Sequence, residues 1–266
     1  MLERYFRHFL KQRGFSEVND VLYSLGYCQG DGCSFTASLD LSEVKALLPF
    51  VYSEDHVRAT DRVKNLISLR NRGKELEAEE DLTVTISQSG NYVHENTMSF
   101  DWETPWGDAE GSTDLYDDLV DRIEEYAKDT AKVMADVGYS IIEAFQQEEK
   151  CTWSFKTDRY LFQLIETNEE ACNTLVSDYD EDFFISLVES LIAGKSKISG
   201  LKAQVFDLTA VDIGNVSVEE PLEVIHLGGV EYSPEDRSYG GCRCELVGQL
   251  ISELRDSTKQ TQRQAA

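Results

Sequence analysis

Positive charge is what this chain is shortest of. Across residues 75–125 one base, Arg122, stands against sixteen acids. That stretch carries −15, residues 126–266 carry −12 and residues 1–74 carry +2, a formal total of −25. Binding to nucleic acid by counterion release needs Lys and Arg against phosphates, so direct nucleic-acid binding is excluded. An anionic surface is also repelled by anionic lipid. Long hydrophobic runs are absent too. No stretch approaches the roughly 18 apolar residues of a membrane-spanning helix, and no membrane association is expected. Residues 1–10 lack the unbroken apolar core and small-residue cleavage site of a secretory signal, so a cytoplasmic protein is expected.

Metal-ligand spacings are missing as well. The six cysteines are Cys28, Cys33, Cys151, Cys172, Cys242 and Cys244. No pair makes the C-x2-C of a zinc knuckle, and there are only four histidines. No metal and no other cofactor is expected, and the thiols read as reduced, buried and structural.

What is present is apolar content sufficient to fold: 41% hydrophobic and 10% aromatic residues. A chain stays disordered when it has too few apolar side chains to bury. That is not the case here, so the acids should decorate folded structure. Solubility asks for a net charge of only about 2–8 in a small domain, and self-repulsion adds nothing to stability. A strongly basic partner accounts for the excess.

Periodicity gives an α+β fold, with antiparallel strands and a long amphipathic helix, divided as 1–148 and 149–266. Helical spacing of Leu2, Tyr5, Phe6, Phe9 and Leu10 predicts a helix over 2–13, closed by Gly14. Residues 21–27 and 34–39 read as strands flanking a glycine-rich turn. Residues 42–51 and 57–72 read as helices, and 75–81 as an acidic connection. Residues 82–87 and 94–102 read as strands, the second with Met98, Phe100 and Trp102 on one face, followed by a breaker-rich loop over 104–113. The long helix is expected over 114–147, with Gly138 as a break or bend. Beyond it, strands are predicted at 152–155, 159–165, 201–211, 216–218 and 222–230. Helices are predicted at 183–192 and 242–254, before a frayed tail from Lys259.

No constellation singles out a catalytic residue. Gln29, Gly30, Asp31 and Gly32 lack the Lys-Ser/Thr end of a phosphate loop and the spacing of a dinucleotide site; an Asp beside glycines makes a turn. His94 and Glu95 are not followed by the second histidine of a zinc-protease helix. Asp178, Asp180, Glu181 and Asp182 lack the central Gly and terminal Glu of a calcium loop.

Two stretches resemble a family. Tyr23 to Thr36, read Y-S-L-G-Y-C-Q-G-D-G-C-S-F-T, resembles the Y-S-Q-G-D-G-A-S-F-T-G signature of small, uncharacterised phage and prophage proteins. Gly90 to Met98, read G-N-Y-V-H-E-N-T-M, resembles that family's G-x-Y-x-H-E-x-S-M segment. Cys33 and Ala37 depart from it. The likeness covers residues 15–148, includes the long helix, and implies a phage origin rather than a mechanism.

Phage inhibitors of restriction, CRISPR and RNA-degrading machinery are similar in being small, acidic and often dimeric. The expected function is therefore a non-enzymatic phage protein in the host cytoplasm. As a homodimer it would occupy the DNA- or RNA-binding surface of a basic host nucleic-acid-binding protein. Asp117, Asp118, Asp121, Glu124 and Glu125 form the expected contact ridge, joined by Asp178, Asp180, Glu181 and Asp182. The alternatives are a carboxylate- or metal-dependent enzyme centred on Asp31, His94 and Glu95, and a virion or assembly component.

Overall fold

In a computed structural model the described residues are 1–52, 82–103, 113–169, 179–209 and 220–264. They form an α+β protein with two four-stranded antiparallel sheets. The chain divides into two compact units, Leu2–Tyr139 and Ser140–Ala266.

The first unit opens with α1 (Leu2–Gln12), whose Phe6 and Leu10 are fully buried. Gly14, at φ +89, ends it in the left-handed conformation that glycine tolerates. Strands β1 (Val18–Ser24) and β2 (Gly32–Leu39) pair from Val18↔Ala37 to Ser24↔Gly32. Their connection is the seven-residue segment 25–31. The alternate residues Cys33, Phe35, Ala37 and Leu39 are all buried. Phe35 lies 4.8 Å from Phe15, which in turn stacks at 5.8 Å on Tyr126.

Helix α2 (Leu41–Val51) begins at a reciprocal cap. The Asp40 carboxylate accepts from the Ser42 and Glu43 amides, while Glu43 accepts from the Asp40 amide. Strands β3 (Thr83–Gln88) and β4 (Met98–Glu103) complete the sheet in the order β1-β2-β3-β4. Met98, Phe100 and Trp102 share one face, opposite Gln88, Ile86 and Val84.

Helix α3 spans Thr113–Glu143, with Leu119, Ile123, Ala127 and Met134 buried. It stops short of the expected end at 147 and runs unbroken through Gly138. Glycine is there for a close approach: an added Cβ would lie 2.6 Å from Leu25 Cδ1 and 2.9 Å from Phe6 Cζ. The strand expected from His94 begins only at Met98, because Glu95–Thr97 is a short 3-10 turn capped by His94. The helix expected over 57–72, the acidic connection over 75–81, the strand at 216–218 and Cys172 lie outside the described residues.

The second unit is a meander of β5 (Lys150–Lys156), β6 (Tyr160–Thr167), β7 (Lys197–Asp207) and β8 (Glu223–Tyr232), in that order. Helix α4 (Glu181–Ile192) joins β6 to β7 in sequence, with Phe184, Leu187, Val188 and Leu191 as its buried stripe. Helix α5 (Cys242–Gln264) packs on the sheet through Leu246, Leu250 and Leu254, against Leu164, Leu201, Ala203 and Val205. It continues helically through the tail expected to fray from Lys259. The cysteines are not uniformly buried: Cys28, Cys151 and Cys244 are exposed, Cys33 is buried and Cys242 is half-buried.

Because Leu250 is fully buried at the centre of this helix–sheet contact, Leu250→Ala should lower stability by about 2–5 kcal/mol. A urea titration followed by circular dichroism reads this directly.

Candidate functional site

The two sequence motifs meet in the first unit, and a carboxylate shapes the first of them. Asp31 Oδ2 accepts from the Gly26 amide at 2.7 Å and the Cys28 amide at 2.7 Å. Asp31 Oδ1 accepts from Ser24 Oγ at 2.5 Å. The two amides flank Tyr27, which is held at φ +59 with 65% of its surface exposed. Its ring lies 4.7 Å from that of Tyr139 on α3. The Cys28 amide, then the Ser24 hydroxyl and the Gly26 amide, hold the Asp31 carboxyl below the usual range. Asp31 is therefore ionised at neutral pH, and three of its acceptor positions are engaged in holding the loop. Burial pushes the Cys33 thiol up to about 12, which leaves it without nucleophilic thiolate at neutral pH.

The second motif lies against the glycines of the first. The Val93 amide donates to the Gly30 carbonyl at 3.3 Å. A Cβ at Gly32 would come within 2.8 Å of the Val93 carbonyl and 2.9 Å of His94 Cα, and one at Gly30 would collide with the Tyr92 ring. Gln88 Nε2 pins the segment from β3 by donating to the Tyr92 carbonyl and to Thr97 Oγ1. His94 Nδ1 accepts from the Asn96 amide at 3.2 Å, which caps the 3-10 turn. Between the motifs lies an open depression of about 360 Å³, lined by residues 29–31 on one side and by Tyr92 and residues 94–96 on the other.

The α3 acids lie apart from these motifs in sequence and share one stripe of the helix, since 117, 121, 124 and 125 recur at i, i+4, i+7 and i+8. Asp117, Asp121 and Glu125 are exposed. Asp118 accepts from Arg122 Nε at 2.9 Å and from Tyr52 Oη at 3.1 Å, and Glu124 faces Lys128 at 3.8 Å. In the second unit Asp180 is the N-cap of α4, accepting from the Phe183 amide at 2.9 Å. Glu181 and Asp182 occupy that helix's first turn, where its dipole favours them. Asp178 lies outside the described residues. Among the described residues, no group of three or more His, Cys, Asp or Glu side chains comes together in a way that could hold a metal ion, and no helix is long and apolar enough to cross a membrane.

Sequence reasoning named Asp31 and His94 but overlooked their positioning neighbours. Ser24, Tyr27 and Tyr92 stood within the quoted motifs, so their proximity in sequence was the available signal. Asn96 also stands within the second motif, and Gly138 reads locally as a helix break rather than a close approach; Gln88 carries no local signal, because its role exists only once β3 and the 3-10 turn come together.

Two outcomes follow from this geometry. Gly32→Ala should lower stability by about 1–3 kcal/mol, because its new methyl meets backbone that cannot rotate aside. Gly90→Ala, at φ +84 in open space, should cost less in the same denaturant titration. Asp31, depressed in the folded state, contributes stability that is complete above the ordinary carboxylate value and lost as pH falls through its own lower one. The Gly26 and Cys28 amide resonances should accordingly titrate together with a midpoint below about 3.9, the value of an unperturbed Asp. A midpoint at or above that value would contradict the assignment.

No curated protein and no solved structure matches the chain. A family model described as a domain of unknown function (DUF8835) matches residues 6–152. This is more than half of the sequence, running from within α1 into β5 and containing both motifs, and the chain therefore belongs to that uncharacterised family.

Proposed function

We propose that this protein works without catalysis, as an acidic decoy that occupies the nucleic-acid-binding surface of a basic protein. The observation that carries the reading is the α3 stripe, where Asp117, Asp121 and Glu125 stay exposed while Asp118 and Glu124 are met by bases of the same helix. At about 1.5 Å per residue the three exposed carboxylates recur every 6 Å or so. Duplex DNA carries a charge per roughly 1.7 Å, and one strand a charge per roughly 3.4 Å. The stripe is thus far too sparse to imitate a duplex, and comes close to every second phosphate of one strand. It suits a groove that takes a single strand, the kind found in RNA-processing and strand-separating enzymes.

The likeness to phage and prophage proteins supports a host protein as the target and the host cytoplasm as the place. A homodimer would present the stripe twice. An enzyme centred on Asp31, His94 and Glu95 is less well supported, because Asp31 and His94 are already committed to holding their own loops.

The full chain should be immobilised and exposed to host lysate at low salt. Retained proteins should be basic nucleic-acid binders, displaced by a single-stranded polynucleotide. The triple variant Asp117→Asn, Asp121→Asn, Glu125→Gln should retain them roughly tenfold less. Equal retention by that variant, or failure of the polynucleotide to compete, overturns the reading.

A further inference from the structure

The depression between the two motifs has a chemistry distinct from the α3 stripe. The seven residues lining it include two carboxylates, Asp31 and Glu95, and no Lys or Arg. His94 Nδ1 is already engaged, accepting the Asn96 amide. With two carboxylates and no Lys or Arg in its lining, the cavity disfavours anions. One wall is Tyr92, which is 60% exposed; its ring lies against the Gly30 backbone, and its main-chain carbonyl accepts from Gln88 Nε2. Gln29 and Asn96 also line it, and Asn96 Nδ2 donates to Glu95 Oε1 at 3.4 Å. An aromatic ring beside a carboxylate, with two side-chain amides in the same lining, matches a planar cation that can stack and donate in several directions at once.

We propose that this depression binds a guanidinium group, an arginine side chain presented by a partner protein. The Tyr92 ring stacks on the guanidinium plane. Glu95 accepts its N–H groups, Gln29 and Asn96 accept those that remain, and ionised Asp31 adds to the local field. An ammonium group fits less well, because a compact, strongly hydrated point charge gains less from the flat aromatic wall. The inference rests on the reading that the partner is basic, but it assigns the contact to a different surface and a different interaction.

The test needs no partner. The ¹⁵N-labelled full chain should be titrated at low salt with N-acetyl-arginine amide, with its neutral isostere N-acetyl-citrulline amide, and with N-acetyl-lysine amide. Saturable shifts are expected at residues 29–32 and 92–96 with the arginine compound. The citrulline compound should bind at least about tenfold more weakly, and the lysine compound at an intermediate strength. Glu95→Gln and Tyr92→Leu should each weaken arginine binding several-fold, with amide spectra elsewhere unchanged to show an intact fold. Absence of saturable shifts at these segments overturns the proposal. So do equal affinity for citrulline and shifts confined to residues 117–125. The last result would leave the decoy reading standing, and loss of lysate retention without loss of arginine binding would separate the two in the other direction.

Discussion

A single carboxylate closes the connection between β1 and β2, and the surroundings of both motifs take their shape from it. By accepting from the amides on either side of Tyr27, Asp31 fixes the left-handed conformation there. In the same connection Leu25 lies against Gly138 of α3, and residues 92–94 lie directly on the Gly30 and Gly32 backbone. The second unit repeats the device. Asp236 accepts from the amides of Ser238 and Gly240, which flank Tyr239, and from Ser238 Oγ. Tyr239 also has positive φ, at +55. The two tyrosines differ in what they then do. Tyr239 is buried among the residues under α5, so core packing offsets its backbone strain, whereas Tyr27 spends the same strain of about 1–2 kcal/mol on a surface position.

This use of aspartate bears on the charge problem that the composition raises. Carboxylates with structural duties can lose their field in two ways, by protonation or by pairing with a base. Neither happens at Asp31, Asp40 or Asp236, where neutral amides and hydroxyls do most of the stabilising. Their pKa values fall rather than rise, so the charge is held on. Asp207 shares the pattern, with Thr209 as its first stabiliser and Arg159 added. Capping and turn formation thus use acids without cancelling them, and a chain can satisfy its local hydrogen-bonding needs and remain strongly anionic. Asp180, Glu181 and Asp182 likewise sit where the first turn of α4 presents the positive end of its dipole.

Much of this fold was legible in the chain because its elements are written in local periodicity. The alternation of residues 82–87 and the leucine spacing of α5 identify a strand and a helix without reference to anything distant. The departures from the local reading have separate causes. Gly138 looks like a helix breaker, yet it is a site of close approach within an unbroken helix. His94 looks like the start of a strand, but its ring nitrogen caps a short turn before Met98. The tail beyond Lys259 has few apolar residues and still continues the helix started by Leu246, Leu250 and Leu254. The motifs could be quoted from the sequence, and Asp31 could be read as a turn residue. That the two motifs meet could not be read, since the reason lies in absent side chains at Gly30 and Gly32.

The two surfaces proposed for partner recognition act over different distances, and this decides how they divide the work. Exposed carboxylates on α3 act through solvent and are screened beyond a Debye length of about 8–10 Å at moderate salt. They can bias the approach of a cationic surface and set the rate of encounter, but an exposed charge pair adds little to holding it. A concave site with a fixed aromatic wall has the opposite character. It exerts no reach, yet once occupied it replaces water around a cation with a stacked ring and oriented acceptors, which lengthens residence. A stripe alone would give fast, salt-labile and poorly selective association with any basic protein. The depression adds a geometric requirement that only a projecting planar cation satisfies, so on this proposal selectivity resides in the glycine-floored motif rather than in the charge.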